Sequence, residues 1–270
     1  MKTKETENET WEEFVERWEM RSKVAAKTYP LKNTKKNPKI PHITQETKKN
    51  LRWKAFSYIL LHDQDWSIIS SIAKRPFFYT YRLLRSFFKK MPMRQEDDLF
   101  FYGFENEEAF KRALSDKDCS LVLGFSYCQK PLECPSGRFT DQCINSSDNP
   151  VCQQCPISKM ISFQKRKNTK IIWIPTVHYI GKQMFSLIEE EKKFIFMITA
   201  CEMTLKMFAD WGNMLGIKGI GLRLQGRICN TMQAFVLSEK GIKPGLTIIS
   251  EETEKRVFKI LEESAMSIKQ

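Results

Sequence analysis

Cys128, Cys134, Cys143, Cys152 and Cys155 crowd into one stretch, YCQKPLECPSGRFTDQCINSSDNPVCQQCPISK, from Tyr127 to Lys159. Glycine, serine, asparagine and proline punctuate it, so it reads as a loop. A free cysteine is usually a small core hydrophobe. A polar loop has no core in which to hide five of them. Thiols in that number are ligands for a soft metal, either tetrahedral zinc or an iron–sulfur cluster. Only Cys152 and Cys155 have the compact C-x-x-C spacing; the fold must close the wider gaps. Pro156 follows Cys155 and suits the first position of a helix, which would place backbone donors beside the sulfurs.

Cys201 and Cys229 join this set from a distance. Cys201 ends the apolar run FIFMITA and opens a helical pattern, CEMTLKMF. Cys229 follows the run GIGLRL, and Cys128 follows SLVLGFS. In a parallel sheet, binding sites collect at the carboxyl ends of strands, so these three thiols are expected to face one crevice. A helix N-terminus favours a thiolate, which makes Cys201 either a ligand or a reactive thiol. Glu202 beside it reads equally as a ligand or base and as a helix N-terminal acid. Cys119, outside the cluster and against a strand, reads as core. The chain has three histidines, His42, His62 and His178. His178 is an extra ligand candidate, though a surface role is favoured. More than four candidate thiols favour an iron–sulfur cluster over one closed zinc site, with zinc kept as the alternative.

The elements that must hold these residues are legible. Strand-like runs lie at CSLVLGFSY, KIIWIP, KFIFMITA, KGIGLRL and GLTIIS. Helical stretches include Phe104–Asp116, GKQMFSLIEEEK, CEMTLKMFADWGNML and a final amphipathic segment with Val257, Ile260 and Leu261 in register. Strand and helix alternating across short connections predict an α/β layered domain with a largely parallel sheet over residues 98–270. Ahead of it, residues 51–97 read as basic amphipathic helices, with Trp53, Phe56, Ile59 and Leu60, then Trp66, Ile68 and Ile69, on the apolar face over Leu51–Ile72, and a further helix after Pro76. Residues 1–50 read as a charged helix over Trp11–Ala26 and a Lys- and Pro-rich linker over Thr28–Asn50. HDQD, His62–Asp65, could offer carboxylates to a metal, but a solvated break in the helical pattern is favoured. GIKGIG precedes a strand, the wrong order for a dinucleotide fingerprint, so its glycines read as turn and close packing.

The net charge is +12, and residues 17–94 hold 19 Lys and Arg against 4 Asp and Glu. A basic region of this kind is a solvated arm or a contact for nucleic acid or another anionic surface. The start, MKTKETENETWEEF, lacks the apolar core of a secretory signal. No run reaches ~18 apolar residues, the length of a membrane span. A cytoplasmic location is expected, where thiols stay reduced and structural disulfides are disfavoured.

VLGFSYC, VCQQC, ITACEM and GIKGIGLRLQGRICNT resemble the prokaryotic cysteine-rich family catalogued as domain of unknown function 116. In that family a strand runs into a first cysteine, a cysteine-rich loop and an ACEME segment follow, and a glycine-containing strand ends in GCVNT. The resemblance spans roughly residues 120–231. It places Cys128, Cys134, Cys143, Cys152, Cys155, Cys201, Glu202, Cys229, Asn230 and Thr231 on family positions. The loop between Cys143 and Cys152 is longer here, and Arg227-Ile228 replace a tighter glycine turn. The resemblance implies a metal or iron–sulfur protein with no established reaction; some members of the family stand beside lipoate-ligase-like domains, which points toward sulfur or cofactor assembly.

Three readings result. The first is an iron–sulfur protein in electron or sulfur transfer, or cofactor assembly, with a redox or sulfur-transfer protein partner. The second is a zinc-stapled binding module whose basic N-terminal region meets nucleic acid or an acidic partner. The third is metal-free thiol chemistry, which requires a low-pKa Cys201.

Overall fold

The computed structural model describes residues 40, 42–63, 65–88, 93–164, 168–190, 193–243 and 245–267. The Trp11–Ala26 helix and most of the Thr28–Asn50 linker lie outside them. Thr44 caps a helical turn, α1 (Gln45–Lys48). Then come α2 (Leu51–His62), α3 (Ser67–Ala73), α4 (Pro76–Phe87), β1 (Arg94–Glu96), β2 (Leu99–Tyr102), α5 (Glu107–Leu114) and β3 (Ser120–Ser126). Past the cysteine loop follow α6 (Pro150–Gln153), α7 (Pro156–Phe163), β4 (Thr169–Ile174), α8 (Val177–Glu190), β5 (Phe194–Ala200), α9 (Glu202–Leu215) and β6 (Lys218–Arg223). The chain ends with β7 (Gln225–Gly226), α10 (Met232–Ser238), β8 (Thr247–Ile248) and α11 (Glu251–Ser267).

Six strands form one mixed sheet in the order β1-β2-β6-β5-β3-β4. β4, β3, β5 and β6 are parallel; β2 and β1 run antiparallel at one edge. This is the expected α/β fold. β3 and β5 are apolar along nearly their whole length because both faces are covered. Leu121 and Leu123 pack on one side with α5, α7 and α11, while Val122, Phe196 and Ile198 pack on the other with α8, α9 and α2. Gly219 is required for packing: a Cβ there would stand 2.2 Å from the Phe196 carbonyl oxygen. Gly216, at φ +73°, ends α9, so GIKGIG is turn and close packing.

GLTIIS is only in part a strand. Thr247–Ile248 pair with Gln225–Gly226 in a separate two-stranded ribbon, outside the main sheet. The end of the expected linker is also not a free spacer. Ile40 N–H donates to Gly226 O, and Thr44 N–H to Asn230 O, both at 3.0 Å. This docks the segment along the chain that carries Cys229.

The N-terminal helices share the core with the sheet. Arg52 grips Asp210 of α9 through two bonds of 2.6 Å, and Ser86 Oγ donates to the same carboxylate. The break after His62 occurs as expected, with His62 and Asp65 exposed and Asp63 turned inward. Asp63 is buried and accepts Ile68 N–H, Ile69 N–H and His178 Nε2, which caps α3. Trp53, Leu60 and Trp66, expected on the inward face, are exposed instead. Among the described residues no helix is long and apolar enough to cross a membrane.

Candidate functional site

The seven candidate thiols sort into two groups at the carboxyl edge of the sheet. Register explains the first. Phe125 of β3 pairs with Thr199 of β5, and Ala200 with Arg223 of β6, so the three strand ends are level. Cys128 lies in the tight turn after β3, Cys201 caps α9 directly after β5, and Cys229 follows β7. All three are buried and line one cavity together with Glu239 and Lys243. The expectation of a shared crevice therefore holds for Cys128, Cys201 and Cys229. Lys243 is itself buried, and its Nζ donates to Cys229 Sγ at 3.5 Å. Burial lowers its pKa, but the surrounding sulfurs of Cys128, Cys229 and Cys201 outweigh that and leave it raised.

Burial pushes the Cys201 thiol up to about 11, against partial opposition from Lys243 and Thr204. The third reading, which needs a low-pKa Cys201, is corrected here. Desolvation outweighs the helix N-terminus. At neutral pH this sulfur keeps its proton unless a metal displaces it.

The second group occupies the loop, around Lys130. This lysine is only 1% exposed. Its Nζ donates to Thr140 O at 2.8 Å, Thr140 Oγ1 at 2.9 Å, Gln142 O at 2.6 Å and Gly137 O at 3.4 Å. One ammonium thus folds the 137–142 segment around itself, facing Cys134, Cys143 and Cys155. Arg138 extends the framework, donating to Lys130 O at 3.1 Å and to the carbonyls of Lys243 and Gly245. Asn149 caps α6, which carries Cys152 into the interior. Cys155 N–H donates to Cys152 O at 3.0 Å, and Cys155 caps α7.

The loop sulfurs share a local geometry. Cys134 accepts the N–H of Ser136, Cys143 that of Asn145, and Cys155 those of Ser158 and Ile157. Each therefore accepts the N–H two residues ahead. Burial still dominates: it pushes Cys134 up to about 12 and raises Cys143 and Cys155. The Trp173 indole N–H is buried without a conventional acceptor and also lowers Cys143. These are donors prepared for anionic sulfur.

The geometry limits what the thiols can hold. Two sulfurs on one zinc stand at most about 4.6 Å apart, given a Zn–S bond of about 2.3 Å. Among the described residues, the one grouping of three ligand atoms within 4.8 Å is Asp63, Asp65 and His178. That group is internally spent, with Asp63 capping α3 and Lys182 on Asp65. No closed zinc site of three or four thiols is preformed. A cluster asks less, because its ligand sulfurs sit on different irons.

Glu202 does not face the cavity. Its buried carboxylate takes His42 Nδ1 at 3.2 Å, Ile43 N–H at 3.3 Å and Lys206 Nζ. Burial would raise its pKa, but Lys206 and His42 hold it low. It fastens the 40–44 segment. His178 is taken up by Asp63 and Asp65 rather than by sulfur. Cys119 is core, as expected, but the loop does find a core for its thiols, contrary to expectation: Cys128 and Cys155 join the same apolar cluster, and Cys134 and Cys152 are buried too. Lys130, Lys243 and Glu239 have no signature in the sequence, since a lysine in a polar loop reads as solvated.

Fold and site together define an α/β protein in which Cys128, Cys201 and Cys229 line one cavity beside Lys243, while Cys134, Cys143 and Cys155 lie around Lys130. No family model, no curated protein and no solved structure matches the chain.

Proposed function

We propose that this chain is an iron–sulfur protein acting in electron or sulfur transfer, or in cofactor assembly, with a redox or sulfur-transfer protein as partner. Cys134, Cys143, Cys152 and Cys155 would hold the cluster. The observation that carries the reading is the repeated N–H donation to sulfur from two residues ahead, around the Lys130 ammonium. Such donors favour thiolate over thiol and help set a cluster's potential. Lys130 supplies positive charge against the ligand sulfurs, Arg138 ties the loop to the 243–245 segment, and α6 and α7 close out water. When bound, the cluster supplies an electron-transfer couple.

Anaerobically prepared protein should be brown, with iron and acid-labile sulfide in equal amounts. Cys134→Ser and Cys155→Ser should each lose most of the loop's share of both. Colourless protein with stoichiometric zinc and no iron would reject the reading.

A second reading, a binding module working through the N-terminal helices, has its own supporting observation. On α4 and just past it, Phe77, Tyr81, Leu84 and Phe88 follow helical spacing and are 90%, 65%, 50% and 87% exposed. From Trp66 to Gln95 the chain has seven Lys and Arg and no Asp or Glu. Lys74 and Arg94 are paired with Glu189 and Glu96, but exposed aromatic side chains within so basic a run suit an anionic lipid surface. The protein should co-sediment with vesicles containing phosphatidylglycerol, less with pure phosphatidylcholine, and about tenfold less after Phe77→Ser with Phe88→Ser. Equal binding by that double variant, or binding to DNA alone, would dismiss the lipid surface.

A further inference from the structure

Besides Cys119 in the core, the loop reading leaves three buried thiols unused. Cys128, Cys201 and Cys229 come from the ends of different strands and meet at one cavity, 5–8% exposed. They belong to a different cation from the loop group: Lys243, not Lys130. Arg138 runs between the two groups, donating to Cys128 O as well as to Lys130 O. Three sulfurs with a buried ammonium make an anion-balanced pocket for something cationic and soft.

The fourth direction is not closed by protein. Among the described residues no fourth cysteine and no histidine lines this cavity. It is walled mainly by apolar residues such as Tyr102, Phe196, Leu205 and Phe235, with Glu239 and Thr199 among its few polar groups. Its volume is ≈ 60 Å³, room for a few waters. Structural metal sites are closed by protein ligands, whereas reactive ones keep a position open to water or substrate. The loop group has the closed composition, and this trio has the open one.

We infer that Cys128, Cys201 and Cys229 hold a second iron–sulfur centre by three thiolates, with one coordination position open to the cavity. The inference rests on the reading of the loop as a cluster site but concerns different residues. Binding releases the thiol protons to solvent, and Lys243 offsets part of the thiolate charge. Among the described residues these three sulfurs are not all within 4.8 Å of one another, too spread for one tetrahedral ion, whereas a cluster takes its ligand sulfurs on different irons. The open position faces a small, largely apolar space, so the substrate is a small molecule with a group that ligates iron.

The test uses the full chain loaded anaerobically with iron and sulfide. Two four-iron centres give roughly eight iron and eight sulfide per chain. Cys201→Ser and Cys229→Ser should each fall to roughly half of both, as should Cys134→Ser with Cys155→Ser. Cyanide, a small ligand for iron, should shift one of two EPR signals of the reduced protein, and that signal should be missing in Cys229→Ser. Circular dichroism checks each variant's fold; should Cys229→Ser misfold, the wild-type iron count and Cys201→Ser decide. Wild-type iron and sulfide in both trio variants, or only one centre in the wild type, would overturn the inference and leave the loop cluster standing. Two centres with neither signal moved by cyanide would overturn the open position. A chain that takes up no iron would remove the loop reading and this one together.

Discussion

Lys130→Met is expected to destabilise the protein by about 3 kcal/mol and to abolish iron loading in the loop. Methionine matches the lysine stem in length, so the variant leaves little void. What it removes is the donor for Gly137 O, Thr140 O and Gln142 O. Bonds to a charged donor contribute about 1.5–3 kcal/mol each. Burying the ammonium offsets part of that, as its lowered pKa shows. With no internal helix or strand from 130 to 149 to take over, the 137–142 segment has nothing else to close around. Cys134, Cys143 and Cys155 would then lose their mutual placement, not merely a neighbouring charge. Chemical denaturation and iron content measure the two halves of the prediction. The exposed Lys117→Met is the control and should change stability by less than about 0.5 kcal/mol. Equal behaviour of the two variants would show that Lys130 is no staple.

The loop illustrates where sequence reading succeeds and where it stops. β3, β5 and β6 are legible because a strand covered on both faces is a near-continuous apolar run. β1 is not: Arg94–Glu96 is a polar edge strand, and edge strands carry charge by necessity. The meeting of Cys128, Cys201 and Cys229 is legible, since each follows a strand and the carboxyl ends of parallel strands lie on one side. Their separation from the loop thiols is not. It is decided by Lys130 and Lys243, and nothing local marks a lysine that will be buried. Glu202 shows the same limit. Its position at the start of α9 is visible, while its engagement by His42 and Ile43 depends on a chain segment 160 residues away. Outward-facing Trp53, Leu60 and Trp66 mislead for a related reason: periodicity finds an apolar face but not whether anything covers it.

Glu239→Gln should remove a pH dependence that the parent protein carries. The Glu239 carboxylate accepts Val177 N–H at 2.7 Å and Tyr58 OH at 3.5 Å. Burial raises its pKa from 4.5 to about 7, and those two bonds only partly resist. The folded value lies above the unfolded one. This carboxyl's contribution to stability is therefore full below pH 4.5 and is lost as pH rises through about 7. The loss is at most about 3 kcal/mol, at about 1.4 kcal/mol per unit. Unfolding free energy of the parent should decline across that window relative to Glu239→Gln, whose amide has no proton to lose. Above pH 8 the variant should be the more stable protein. Identical pH profiles would mean that Glu239 is already ionised and solvated. The same titration matters for chemistry at the cavity. A carboxyl poised near neutrality can take or give one proton there, whereas Cys201, held near 11, cannot.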